Sequence, residues 1–141
     1  MPKNVKIALI GHCGPDSSYL RMVCGQAAKG AQVLMADDDS ELQDVLAQDV
    51  DLLLFNRELG YGFTHKMGVD AIKYLRGLNK NLRMMLVSNY PDAQAAAVAN
   101  GALPGFGKRE IGSPRVLEVL RAALEQPTNA VSGPASAEVN P

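Results

Sequence analysis

The stretch that most constrains this chain is Val50-Asp51-Leu52-Leu53-Leu54-Phe55-Asn56, an apolar run bounded by polar residues and followed by the glycine-rich Gly60-Tyr61-Gly62. A run this short, with helical patterns on both sides, reads as a strand buried on both faces of a parallel sheet. Asn56 then ends the strand on the carboxyl edge, where open α/β sheets place their ligands.

The rest of the chain repeats the alternation. Val5 to Ile10 is a first strand, and Gly11-His12-Cys13-Gly14-Pro15 is its exit loop. Asp16 or Ser17 can cap a helix reaching about Lys29, with Tyr19, Leu20, Val23 and Ala27 at helical spacing and Gly30 closing it. Ala31 to Ala36 is a second strand, and Asp37-Asp38-Asp39-Ser40 opens a helix in which Ser40 and Gln43 have capping-box spacing and Leu42, Val45 and Leu46 face inward. After the Arg57 to Lys66 loop comes a helix from about Met67 to Leu78, with Val69, Ile72 and Leu75 inward, and then a strand from Leu82 to Ser88. Pro91 suits the first turn of an alanine-rich helix that ends at Asn100-Gly101. Ala102 to Lys108 is a weak fifth strand interrupted by Pro104, Gly105 and Gly107. Ser113-Pro114 starts a last helix with Val116, Leu117, Leu120 and Leu124 on its apolar stripe. Five strands alternating with five helices predict a flavodoxin-like, doubly wound parallel sheet of order 2-1-3-4-5. The domain is expected over residues 1–126. Residues 127–141 are small, polar and proline-containing, as in a disordered tail or linker.

Composition removes several classes of function. A net charge of −1 gives no reason to expect nucleic-acid or anionic-membrane binding, and no apolar run has the roughly 20 residues of a membrane span. Cys13 and Cys24 make no disulfide framework, so reduced thiols and a cytoplasmic setting are expected. No Ser-His-Asp, Cys-His or paired-carboxylate arrangement marks an enzyme, and no cofactor is expected.

Asp51-Leu-Leu-Leu-Phe-Asn56, then Leu86-Val87-Ser88, an alanine-rich helix ending Asn100-Gly101-Ala102, and Gly107-Lys108 together resemble the receiver domain of bacterial response regulators, over roughly residues 4 to 125. The resemblance implies the phosphorelay chemistry of two-component signal transduction. There, two acids after the first strand hold Mg²⁺, an aspartate ending the third strand takes the phosphoryl group, and a Ser/Thr and a lysine contact it. Ser88 and Lys108 match the last two. The acidic pair aligns with Gly11 and His12, and the phosphoacceptor with Asn56. Glycine offers Mg²⁺ no ligand and imidazole is a softer one. An asparagine amide cannot form an acyl phosphate. The family's switch aromatic aligns with Gly105, and the proline after its lysine with Arg109; the loop after the third strand is longer than usual, placing Gly68 late. These departures describe a degenerate pseudo-receiver.

Several residues admit two readings. Lys108 can bind an anion with Ser88 and the amides near Gly11 and Gly14, or can simply pair with Glu58, the nearby carboxylate, or with strand-end carbonyls. His12, Cys13 and His65 can ligate zinc, or can pack without a metal, which their spacing favours. Asp37 to Asp39 can hold a cation, or serve the helix cap and dipole. Tyr61 and Phe63 can form a partner-binding loop or fold back as a lid. The expected function is a phosphorylation-independent module acting by protein–protein contact or homodimerisation through Pro91 to Leu124, a face the resemblance implies. The alternative is a sensor of a small anion or nucleotide in the degenerate pocket of Gly11, His12, Asn56, Glu58, Ser88 and Lys108, with no metal.

Overall fold

The computed structural model of the chain describes residues 4–125; the predicted tail lies outside them. In chain order the elements are β1 (Lys6–Ile10), α1 (Gly14–Ala27), β2 (Gln32–Ala36), α2 (Asp39–Leu46), β3 (Leu52–Asn56), α3 (Gly68–Leu78), β4 (Met84–Val87), α4 (Pro91–Ala99), β5 (Leu103–Phe106) and α5 (Pro114–Glu125), with a 3₁₀ turn over Lys108–Glu110. The strands form one parallel sheet of order β2-β1-β3-β4-β5, the flavodoxin-like topology predicted from the alternation.

Both faces of the sheet are covered, which is why the central strands read as unbroken apolar runs. Successive side chains alternate between the faces. Ala8, Ile10, Leu53 and Phe55 pack with Leu42 and Val45 of α2, Ile72 and Leu75 of α3 and Ala97 of α4. Ile7, Leu9, Leu52 and Leu54 pack with Leu20 and Val23 of α1 and Val116 and Leu120 of α5. Leu52 to Phe55 are wholly buried, each contributing about 2 kcal/mol of apolar burial.

Some boundaries move. Helix α1 starts at Gly14, with Cys13 rather than Asp16 or Ser17 in the cap position, because the fixed φ of Pro15 suits a first helical turn. Tyr19 is exposed; the inward stripe is Leu20, Val23 and Cys24. Helix α2 is capped two residues before Ser40: the Asp38 carboxylate accepts the Glu41 N–H at 2.7 Å, and the Glu41 carboxylate accepts the Asp37 N–H at 2.7 Å. The acidic run therefore serves the helix terminus. Strand β5 stops at Phe106, so Lys108 opens a 3₁₀ turn instead of ending a strand.

On α3, Arg76 closes the opposite side of the sheet by donating to the carbonyls of Asn79, Lys80, Leu82 and Gly101 at 3.3, 2.7, 2.5 and 2.9 Å. Arg76→Ala should lower the unfolding free energy by about 2 kcal/mol, since these carbonyls lose a charged donor. Urea unfolding measures this, and an unchanged midpoint would mean that water replaces the guanidinium at no cost.

Candidate functional site

The carboxyl edge of the sheet gathers the exit loop of β1, the end of β3, the loop after β4 and the 3₁₀ turn after β5, as any doubly wound sheet does. Gly11 leaves β1 with φ +75°, a left-handed conformation that favours glycine. A Cβ placed there would lie 2.7 Å from Leu59 Cδ2. Leu59 comes from the long loop after β3 and is buried against the sheet edge. Its N–H donates to Lys66 O at 2.7 Å, and Glu58 and Met67 form an antiparallel bridge, so the loop doubles back on itself.

The tip of that loop is pinned as well. The Asp39 carboxylate accepts the Thr64 hydroxyl at 2.6 Å and its N–H at 3.0 Å, and the Asp39 N–H donates to Gly62 O at 3.0 Å. Bonding to Thr64 holds the Asp39 carboxyl below its ordinary range. Phe63 is buried in the core while Tyr61 is fully exposed, so the two aromatics divide between lid and surface.

Asn56 sits at the centre of this edge. Its amide N–H groups donate to Gly11 O at 3.0 Å and to Glu58 O at 2.9 Å. With carbonyls on both contacts, Nδ2 must face them, which settles the amide orientation. His12 is buried: its ring Nε2–H donates to Leu54 O at 2.9 Å, while Nδ1 has no partner. Burial, with a smaller contribution from Lys108, outweighs the Leu54 bond and lowers its pKa to about 4, so the ring is neutral at pH 7.

Lys108 pairs with Asp16, at 2.8 Å, and not with Glu58. The helix start at Gly14 brings Asp16 into the first turn of α1, facing the sheet edge. The bond to Lys108 holds the Asp16 carboxyl below its ordinary range. Glu58 points outward and pairs with Arg57 at 3.1 Å. Arg57 in turn lies over the Tyr90 ring, 4.4 Å from its centroid. The Ser88 hydroxyl accepts the Tyr90 N–H at 3.1 Å. A cleft of about 190 Å³ remains between Asn56, Arg57, Glu58, Ser88, Tyr90 and Lys108.

Thus four of the six predicted residues, Asn56, Glu58, Ser88 and Lys108, line the cleft, with the Glu58 carboxylate largely exposed; Gly11 adjoins it through its bond to Asn56, and His12 is buried behind it. The zinc set does not assemble: His12 is committed to Leu54 O and His65 stacks on Tyr74 at 4.8 Å. Among the described residues no group of three His, Cys, Asp or Glu side chains could hold a metal. Leu59 and Arg57 were not singled out from sequence, and Asp16 was read only as a helix cap. Asp16 was visible there as an acid one turn beyond His12, whereas Leu59 gave no signal beyond the length of its loop.

No protein-family model matches the chain, and no curated protein matches it. Among solved structures it is similar to the N-terminal signal receiver domain of a two-component response regulator from Bacteroides fragilis, at 17% identity over 88% of this chain and 99% of that one, with a TM-score of 0.71. The signal receiver domain of an HD domain-containing protein from Pseudomonas fluorescens Pf-5 gives 20% identity, coverage of 89% and 90%, and a TM-score of 0.70. The RcsB response regulator of Salmonella typhimurium gives 18%, 92% of this chain but 65% of that one, and 0.69. Identities this low establish a shared fold.

The buried imidazole has a measurable consequence. Between about pH 6.5 and pH 4 the unfolded chain binds a proton at His12 that the folded chain does not, so stability falls as pH falls through that window, by up to about 3 kcal/mol. Urea unfolding at a series of pH values should show this slope in the wild type. It should be absent in His12→Gln, whose amide keeps a donor but does not titrate; parallel curves for the two proteins would refute the assignment.

Proposed function

We propose that this chain is a receiver-like signalling module of the cytoplasm that acts by protein–protein contact, without aspartyl phosphorylation. The observation that carries the reading is the closure over Gly11. Where the resemblance calls for an acid, a left-handed glycine lies under Leu59, so a side chain there would strain the backbone and displace the Leu59 side chain.

The neighbouring groups fit Mg²⁺ no better. The ion asks for hard oxygen ligands in a near-octahedral shell. His12 offers a neutral imidazole whose Nε2 is already bonded, Asn56 can add only a neutral amide oxygen, Asp16 is bound to Lys108, and no three His, Cys, Asp or Glu side chains gather among the described residues. The same pairing weighs against the anion-sensor alternative. Both cations of the cleft already have a carboxylate, Lys108 with Asp16 and Arg57 with Glu58, so the positive potential that would attract an anion is largely cancelled.

What remains available for contact is the face built from α4, β5 and α5. Helix α4 buries only Ala97 completely and leaves Ala95, Val98 and Ala99 exposed, small residues that allow close approach of a partner. No described helix is long and apolar enough to cross a membrane, and a net charge of −1 does not favour nucleic acid.

An amide NMR spectrum with and without Mg²⁺ plus beryllofluoride, an analogue of the phosphorylated aspartate, tests the reading. The peaks of Gly11, Asn56, Ser88 and Lys108 should stay in place. Saturable, Mg²⁺-dependent shifts there would mean that some carboxylate, Glu58 or Asp16 first, restores the lost site.

A further inference from the structure

A second cavity adjoins the pocket just discussed at Ser88 and Asn89 and extends away from it. It is a groove of about 820 Å³ running between the outer side of α4 and the free edge of β5, and ending at the 3₁₀ turn and the start of α5. A groove of this size suits a molecule of two or three rings or a medium acyl chain.

Small residues hollow it out. Ala95, Val98 and Ala99 form one wall and Pro104 another. No side chain can stand at Gly105: a Cβ there would lie 2.0 Å from Leu86 O and 2.9 Å from Gln94 Oε1. The register of β4 against β5 shifts at this point, and the Gln94 amide fills the irregularity by donating to Leu86 O, Ser88 O and Phe106 O at 2.9, 3.1 and 3.1 Å. The floor is therefore held from within, and the space above it stays open. Helix α4 carries no polar side chain after Gln94, so its outer face is apolar where a surface helix is ordinarily polar.

The far end of the groove is basic. The Arg109 backbone N–H donates to Asn89 Oδ1 at 3.0 Å, which fixes the residue at the mouth. Its guanidinium has no carboxylate partner among the described residues. Beside it, Arg115 pairs with Glu110 at 2.5 Å, and Glu110 also accepts the Gly107 N–H at 2.7 Å. Two guanidinium groups against one carboxylate leave a net positive end on an apolar trough.

We infer that this groove binds an amphipathic organic anion, its apolar body against Ala95, Val98, Ala99 and Pro104 and its carboxylate, sulfonate or phosphate on Arg109. The division of the groove into an apolar trough and an unpaired fork-shaped donor is what such a ligand requires. The inference stands whether or not a protein also docks on this face, and it needs nothing from the pocket at Asn56.

The test uses two fluorescent probes on the full chain, 8-anilino-1-naphthalenesulfonate and its uncharged relative N-phenyl-1-naphthylamine. The sulfonate should bind saturably at one site and shift the amide peaks of Ala95, Val98 and Arg109. Arg109→Gln should weaken the sulfonate by about tenfold and leave the neutral probe unchanged. Ala95→Phe, which fills the trough from an exposed helix position, should abolish binding of both. Loss of sulfonate affinity without movement of those amides, binding indifferent to both substitutions, or no saturable binding at all would each overturn the proposal. Circular dichroism on both variants confirms that the comparison is between folded proteins.

Discussion

The edge of this sheet depends on one side-chain amide. Asn56 donates to Gly11 O and to Glu58 O, and so ties the exit of β1 to the start of the long loop after β3. That tie keeps the loop close enough for Leu59 to cover Gly11, and the covered glycine must then remain a glycine. A carboxylate at position 56 would present only acceptors to those two carbonyls. Asparagine here is a donor the fold uses.

Charge follows from the same closure. With no acidic pair after β1, Lys108 turns to Asp16 on the first turn of α1, and Arg57 is shared between Glu58 and the face of Tyr90. A buried neutral histidine stands where a charged side chain would otherwise face the sheet edge. The loop after β4 is held by its own bonds: Ser88 to Tyr90, Asn89 to Arg109, and Gln94 to three carbonyls across β4 and β5. These bonds tie the loop after β4 to α4, β5 and the 3₁₀ turn.

The fold was legible in the sequence because its strongest signals are local. Leu52 to Phe55 can be unbroken only if both faces of the sheet are covered, and Pro91 and Gly101 mark the ends of α4 by backbone conformation alone. The chemical character of Gly11, His12 and Asn56 was legible too, being a question of which atoms are present. The partners were not. Pairing Lys108 with Glu58 followed from Glu58 lying two residues beyond Asn56 at the sheet edge, whereas the actual partner, Asp16, depends on where α1 begins, and with Pro15 in its first turn the helix cap lies at Cys13, three residues before Asp16. Leu59 was invisible because a leucine in a loop has no periodicity to show where it is buried.

The measurement that bears most directly on this account is the stability of Asn56→Asp relative to the wild type in urea, as a function of pH. If the amide works as a bridge between two carbonyls, the variant loses about 2–3 kcal/mol at neutral pH. Part of that loss returns as acid protonates the new carboxyl and gives it back one donor. If the variant is as stable as the wild type at pH 7, the bridge carries no weight.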